Sequence, residues 1–432
     1  MNLLRRVVAV RDDEVRVLLL ATSTFFLLFF GYSILRPIRD ELGIAGGVRD
    51  LPWLFTATLV AMLAVHPVYA AVVARLPRRR VIPLVYRFFI SNLLLFFLLL
   101  QVVPEGALPW VGRTFFVWTS VFNLCVVSVF WQQISDLFRA EQGQRLFGFI
   151  AVGGTLGAVA GAGTTAGLVA AVGRGPLLLA AALLLELAAR AAVAVDLAPA
   201  PTRRSDAAIG GSVWEGVSDV IRSPYLIGIC GYMLLYTITA TFLYFLQAEV
   251  VSARLAEGAP RAAFFARIDL AVNLLTAVTQ IFLTGRLMRR LGVAIALAFL
   301  PTVCLLGFGW LAVAPSLVAI AVFQILRRAG NYAISRPARE VLYTVVSRDE
   351  RFKAKQLIDT FVYRAGDQVG AWSWALLGAL GLAGGVAIAA LPLTAGWIGV
   401  AAWLGVRQRE RAGDEAALTP ATAEARAPRD PR

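Results

Sequence analysis

Residues 15–29 read VRVLLLATSTFFLLF and residues 30–47 read FGYSILRPIRDELGIAGG. The first stretch opens an apolar run that continues to Leu35, long enough to cross a hydrocarbon core of roughly 30 Å as a helix. The second puts Arg36, Arg39, Asp40 and Glu41 at the end of that helix, before the next apolar run opens at Leu51. Charge at that place needs a reason, and the rest of the chain supplies the context.

Of 432 residues, 59% are hydrophobic and 16% charged, against roughly half and a quarter in soluble domains. Runs of spanning length recur from end to end, which reads as a multi-span α-helical membrane protein. The formal net charge of +14 would suggest nucleic acid as the partner of a soluble chain, but here the membrane accounts for it and no nucleic acid is expected. Arg5, Arg6 and Arg11 precede the first span, and Arg75, Arg78, Arg79 and Arg80 follow the second. Arg203 and Arg204, then Arg286, Arg289 and Arg290, then Arg348, Arg351, Lys353 and Lys355 fall in later loops of the same parity. By the positive-inside rule both termini are expected on the cytoplasmic side of a bacterial inner membrane. Cys125, Cys230 and Cys304 lie in apolar runs too far apart for metal-ligand spacing and read as packing residues. The first apolar segment is too long for a signal-peptide core and lacks a small-x-small cleavage site, so it reads as a retained span.

Twelve spans are expected, at 15–36, 51–74, 81–103, 112–137, 146–172, 175–196, 224–250, 262–285, 292–313, 316–341, 356–380 and 383–405. The break DLAPAPTRRSDAAIGGS (196–212) separates two halves of six, 1–196 and 224–406, joined by a cytoplasmic linker at 197–223. In the linker, VWEGVSDVI spaces Val213, Trp214, Val217 and Ile221 along one side of a short interfacial helix. The tail 407–432, rich in Ala, Pro and both charges, is expected to be disordered. ARLPRRR at 74–80 resembles GRLMRRL at 285–291, a similar basic turn at the same place in each half. Two such halves suggest parallel repeats about an axis along the membrane normal. The expected fold class is therefore an all-α membrane protein of major facilitator type.

A charged group in a span normally faces a cavity or a partner, because lipid disfavours it. In the tenth span Gln324, Arg327, Arg328, Asn331 and Ser335 repeat at helical period, and in the eighth Asp269, Asn273, Thr276 and Gln280 do the same. The eleventh adds Asp359, Arg364 and Asp367, the third Arg87, and the sixth Glu186 and Arg190. Two of these sets contain partners at i, i+4 (Glu186 and Arg190) and i, i+3 (Arg364 and Asp367), spacings at which they neutralise each other. Arg327 and Arg328 have no acid at such spacing within their span. Two polar stripes imply a water-filled central cavity. Arginine outnumbers carboxylate among these groups, and its planar fork matches phosphate or carboxylate oxygens, so the expected substrate is a small anion.

Other patterns have bland readings. GGTLGAVAGAGTTAG (153–167) lies inside a span and lacks the phosphate-loop spacing. Its glycines at 153, 157 and 161 would let a neighbouring helix approach closely, and would also permit sliding between rocking halves. His66, the only histidine, reads as bonded to a neighbouring helix. Neither HExxH nor GxSxG occurs, so no catalytic residue, metal site or cofactor is expected, and the chain does not read as an enzyme.

YSILRPIRD at 32–40 resembles the first-span motif of the nucleotide transporter (ATP:ADP antiporter) family of plastids and intracellular bacteria. EVLYTVVSRDERFKAKQLIDTFVYRAGDQVG at 340–370 is similar to a second motif of that family, through Glu340, Tyr343, Lys353, Lys355, Ile358, Asp359, Arg364, Gly366 and Gly370. SVFWQQISDLF (128–138) and RLFGFIAVGG (145–154) resemble it more loosely. The resemblance implies nucleotide exchange without hydrolysis. Arg39 stands where the family has a substrate-relevant lysine, keeping the charge, and Asp367 stands where it has another, reversing it. The residues expected to bind substrate are Arg36, Arg39, Asp40, Asp269, Asn273, Gln324, Arg327, Arg328, Asn331, Arg364 and Asp367. The alternative is a proton-coupled transporter or exporter of another solute, with Asp269, Asp359 or Asp367 carrying the proton. Lipid and a small anion, nucleotides among the candidates, are the expected partners of a monomer.

Overall fold

The computed structural model describes residues 11, 14–75, 78–138, 140–197, 220–347, 350, 354–355, 357–382 and 385–424. The described residues are helical and contain no strand, as a chain must be that satisfies its backbone hydrogen bonds within each membrane crossing. The helices are α1 Val15–Ala45, α2 Leu51–Arg75, α3 Arg78–Val102, α4 Leu108–Leu137, α5 Ala140–Val172, α6 Arg174–Leu197 and α7 Pro224–Arg254. They continue as α8 Ala259–Met288, α9 Gly292–Val313 and α10 Leu317–Val345, α11 Tyr363–Ala379 and α12 Val386–Glu424.

Eleven of these meet the length and apolarity of a membrane span among the described residues. The exception is α11, where the 356–380 span is expected; it contains Arg364 and Asp367, and Asp359 lies in the π-helical turn Ile358–Val362 just before it. The basic turns in the two halves fall between α2 and α3 and between α8 and α9. At the second, Gly292 takes φ 76, a left-handed conformation that breaks the helix cheaply only with glycine.

Two expectations are corrected. The first span does not end at Arg36, since α1 runs on through Pro37 to Ala45. Proline removes one ladder bond and kinks a helix, but here the following turns are held by burial: Ile38, Leu42 and Ile44 are core residues, and Gly43 packs under the Phe116 ring. The tail does not leave the helix at Arg407, because α12 continues to Glu424. Good helix formers and the Arg407–Glu410 pair, 2.8 Å at i, i+3, support that extension. The interfacial helix expected at 213–221 lies largely outside the described residues.

Contact density divides the chain into one unit of Met1–Ala208 with Ala248–Leu274 and another of Ile209–Gln247 with Leu275–Arg432. In the first unit, α1 is the central helix and packs on α4, α5 and α6. Its seam with α5 is the glycine stripe: a Cβ on Gly153, Gly157 or Gly161 would strike the carbonyl oxygen of Thr22, Phe26 or Phe30 respectively. Glycines and carbonyls share the same four-residue register, so the backbones touch along two full turns. Both helices belong to one unit, so this stripe lies within a unit and not between the two. In the second unit Gly366 and Gly370 of α11 fit in the same way against Thr237, Ile238 and Thr241 of α7. Cys125 and Cys304 are buried and all three cysteines are free. His66 is exposed on α2, and among the described residues it makes no bond to another helix.

Candidate substrate site

The candidate residues form two groups, one in each unit. In the first, the burial of α1 beyond Pro37 takes its charges into the protein: Asp40 is 7% exposed and Glu41 fully buried. Arg39 donates to Asp40 Oδ1 from Nη2 at 2.6 Å and from Nε at 3.0 Å, with its guanidinium 5.0 Å from the Phe116 ring. Arg36 Nη1 lies 3.8 Å from Asp269 Oδ1 of α8. Glu41 accepts from Arg174 at 2.8 Å and from the backbone N–H of Gly258 at 2.9 Å. Arg36 and Asp269 thus meet as partners, and Glu41 is a structural anchor that the sequence singled out without assigning it a role. Asn273 is half-buried on α8.

In the second unit the stripe on α10 is buried: Gln324, Arg327, Asn331 and Ser335 are each under a tenth exposed, and Arg328 is half-buried. Asn331 Nδ2 donates to the Tyr236 hydroxyl at 3.0 Å. Arg327 stands over the same ring, 5.8 Å from its centroid, and Arg339 stands 5.2 Å from it. Tyr363 and Trp397 flank Tyr236 at 6.2 and 6.1 Å. Nε and Nη1 of Arg327, Oε1 of Gln324 and Oδ1 of Asn331 are buried without a hydrogen-bond partner among the described residues. Buried polar atoms are almost always bonded, so this cluster of donors and acceptors fits a ligand. Arg364 pairs with Asp367 at 3.3 Å, as the i, i+3 spacing predicts.

Sequence reasoning missed the local backbone. Gln280–Thr284 of α8 and Asn331–Ser335 of α10 are π-helical turns. Such turns take carbonyls off the α ladder. Here side chains from α8 satisfy carbonyls of α10: Gln280 Nε2 donates to Tyr332 O at 3.3 Å and the Thr284 hydroxyl to Ala333 O at 2.7 Å. Gln280 was read as a stripe residue but bonds backbone instead. Tyr236 was not singled out, although Tyr225, Tyr232 and Tyr236 fall at i, i+7 and i+11 on one face of α7. A separate cavity of ≈ 600 Å³ between α2 and α4, lined by Trp53, Trp110, Arg113 and Trp118, contains none of the candidate residues.

The described residues form all-α spans whose fold, by likeness to solved transporter structures, is of major facilitator type. The chain matches a bacterial homolog of the human lysosomal transporter Spinster, in an inward-facing and unoccupied conformation, with TM-score 0.58 and 13% identity over 92% of this chain and 99% of that one. It also matches the nucleoside transporter NupG, with TM-score 0.52 and 14% identity over 93% of this chain and all of that one. No protein-family model matches the sequence. No curated protein matches it either.

Proposed function

We propose that this protein is a secondary active transporter that exchanges a small organic anion across the bacterial inner membrane by alternating access, with nucleotides or related organophosphates as the leading substrates. The observation that carries the reading is Arg327, a buried cation with unbonded donors beside an aromatic ring and unbonded amide oxygens. Its fork suits phosphate or carboxylate oxygens, Tyr236 offers a face to a ring, and the Gln324 and Asn331 oxygens suit ligand N–H or O–H groups. Within the first unit Arg36, Arg39, Asp40, Asp269 and Asn273 are a second group of candidate anion-binding residues, and Arg328, Arg364 and Asp367 are further candidates in the second. A site with excess positive charge reorients more readily when an anion neutralises it, which couples import to export.

The resemblance at 32–40 and 340–370 supports nucleotides, and the reversed charge at Asp367 argues for a substrate set other than ATP and ADP alone. Uptake of labelled nucleotides into proteoliposomes preloaded with unlabelled nucleotides, phosphate esters or dicarboxylates tests the reading. Exchange that requires an internal anion supports it. Uptake driven by a pH gradient without counter-substrate supports the second reading, proton coupling, with Asp269, Asp359 or Asp367 as the proton carrier.

A further inference from the structure

The cavity of ≈ 600 Å³ between α2 and α4 plays no part in the proposed substrate site, and it has a charged end and an apolar end. At the charged end Arg113 of α4 donates from Nη2 to the Gly46 carbonyl at 3.0 Å and to Asp50 Oδ2. Its guanidinium also stands 4.6 Å from the centroid of the Trp110 ring. These bonds use Nη2 and Oδ2, so Nη1 of Arg113 and Oδ1 of Asp50 are left for another partner. The Asp50 side chain is 45% exposed, so a ligand can reach it. At the apolar end are Leu54, Ala57, Val117 and Trp118. Trp118 packs on Phe89 and Phe96 of α3, at 5.8 and 5.3 Å, which makes a firm aromatic floor.

Depth in the bilayer decides what this cavity meets. α4 has 30 residues, about 45 Å at ~1.5 Å per residue, against a hydrocarbon core of roughly 30 Å. Its first turns therefore extend beyond the core. Arg113 lies in the second turn of α4, and its guanidinium reaches back to Gly46 and Asp50, in the turn between α1 and α2. The ion pair thus stands at headgroup level. Trp118 is about 8 Å further along α4 than Arg113, and Ala57 about 10 Å beyond Asp50, which puts both at the depth of acyl chains. Trp53 and Trp110 are exposed in the first turns of their helices, where tryptophan rings sit in a membrane interface. The cavity therefore opens on lipid, with its charged end among headgroups and its apolar end among acyl chains.

We propose that this cavity holds one zwitterionic aminophospholipid of the bilayer, its phosphate against Arg113, its ammonium against Asp50 and one acyl chain between α2 and α4. An ion pair with a spare donor on the cation and a spare acceptor on the anion matches a headgroup that carries both charges. Nη1 donates to a phosphate oxygen and the ammonium donates to Oδ1, both charge-assisted hydrogen bonds. The Trp53 and Trp110 rings give the ammonium aromatic faces. Asp50 neutralises Arg113, so no excess charge at this end favours an anionic lipid. The volume falls within the roughly 300 to 1,000 Å³ of cavities that enclose small ligands, room for the upper part of one chain.

The test is native mass spectrometry of the purified chain equilibrated in detergent with equal amounts of phosphatidylethanolamine and phosphatidylglycerol of the same acyl composition. Wild type is expected to retain phosphatidylethanolamine severalfold over phosphatidylglycerol. Asp50→Asn removes the partner of the ammonium and leaves Arg113 unneutralised, so the preference should vanish or reverse. Ala57→Trp, which fills the apolar end and leaves the ion pair, should lose the retained lipid, whereas Leu306→Trp, on an exposed face of α9, should keep it. No preference in wild type, or the same preference in Asp50→Asn, overturns the proposal and leaves only annular lipid. Full retention in Ala57→Trp overturns the placement of the chain. Excess O-phosphoethanolamine is expected to leave the lipid in place; displacement by it would assign the ion pair to a soluble zwitterion and overturn the lipid assignment. If Asp50→Asn does not purify as a folded protein, Ala57→Trp and the competition with O-phosphoethanolamine are judged by the same criteria.

Discussion

Glu41 of α1 accepts a hydrogen bond from Arg174 at 2.8 Å, at the start of α6, with its own side chain fully buried. Its other oxygen accepts the backbone N–H of Gly258, in the turn between α7 and α8. One carboxylate therefore ties three segments of the first unit together. Removing one partner of a fully buried pair costs about 3 to 5 kcal/mol, but Arg174 is a quarter exposed and rehydrates, so a smaller loss is expected. Glu41→Ala should lower the thermal midpoint in detergent by several degrees, and Glu41→Gln, which keeps an acceptor for Gly258, by less. Equal midpoints for Glu41→Ala and wild type would show that the tie contributes nothing.

Arg39 and its lysine replacement separate binding from anchoring. If Arg39 attracts the anion, Arg39→Gln should nearly abolish nucleotide exchange in proteoliposomes, with an unchanged circular dichroism spectrum. Arg39→Lys should retain part of the activity, because charge survives and the bidentate fork does not. An unimpaired Arg39→Gln would reduce the residue to a partner of Asp40.

Arg327 offers the sharpest test of the substrate site. A hydrogen bond to a charged group contributes about 1.5 to 3 kcal/mol, so Arg327→Gln should weaken anion binding by roughly ten- to a hundredfold. Gln324→Leu should cost less for a ligand without donors than for one with them, measured as the apparent affinity of each in uptake competition. Wild-type affinity in Arg327→Gln would place the anion elsewhere.

The α1–α5 seam predicts a purely structural defect. Gly157→Val should destabilise the protein by about 1 to 3 kcal/mol, the usual range for overpacking, because its side chain meets the Phe26 carbonyl. Gly167→Val, on the same helix with open space around it, should be close to wild type in melting temperature.

A pH dependence is expected at the start of α1. Burial raises the Glu14 carboxyl, but the Arg11 N–H, the Gln142 amide and Arg145 outweigh it and hold the group below its ordinary value of 4.5. A depressed folded value means stability that is fully present above 4.5 and lost as pH falls through that lower value. The melting-temperature advantage of wild type over Glu14→Gln should therefore be constant near neutrality and shrink only in acid. A difference that grows as pH falls would reverse the sign and refute the assignment.

Much of this was legible because the bilayer imposes one-dimensional rules. The twelve segments, the paired basic turns and the i, i+4 stripe on α10 follow from length, parity and period. The pairings Glu186 with Arg190 and Arg364 with Asp367 followed from helical spacing, whereas Arg87 joined the first of them across 99 positions, a contact no local pattern encodes. The π-helical turns of α8 and α10 had no signature, since a one-residue widening depends on which carbonyls neighbouring side chains can reach.

The sequence by itself determined that this chain crosses a membrane many times as helices, because apolar runs of that length have no other way to satisfy their backbone in lipid. It also determined that arginines lie inside those helices. Only the tertiary structure decided what each of those charges meets. Whether RPIRDEL after Leu35 is a loop or two more turns of buried helix depends on Phe116, Arg174 and Gly258, supplied from far along the chain. Burial of a charge is a property of its neighbours, and the neighbours of α1 are set by packing rather than by its own residues.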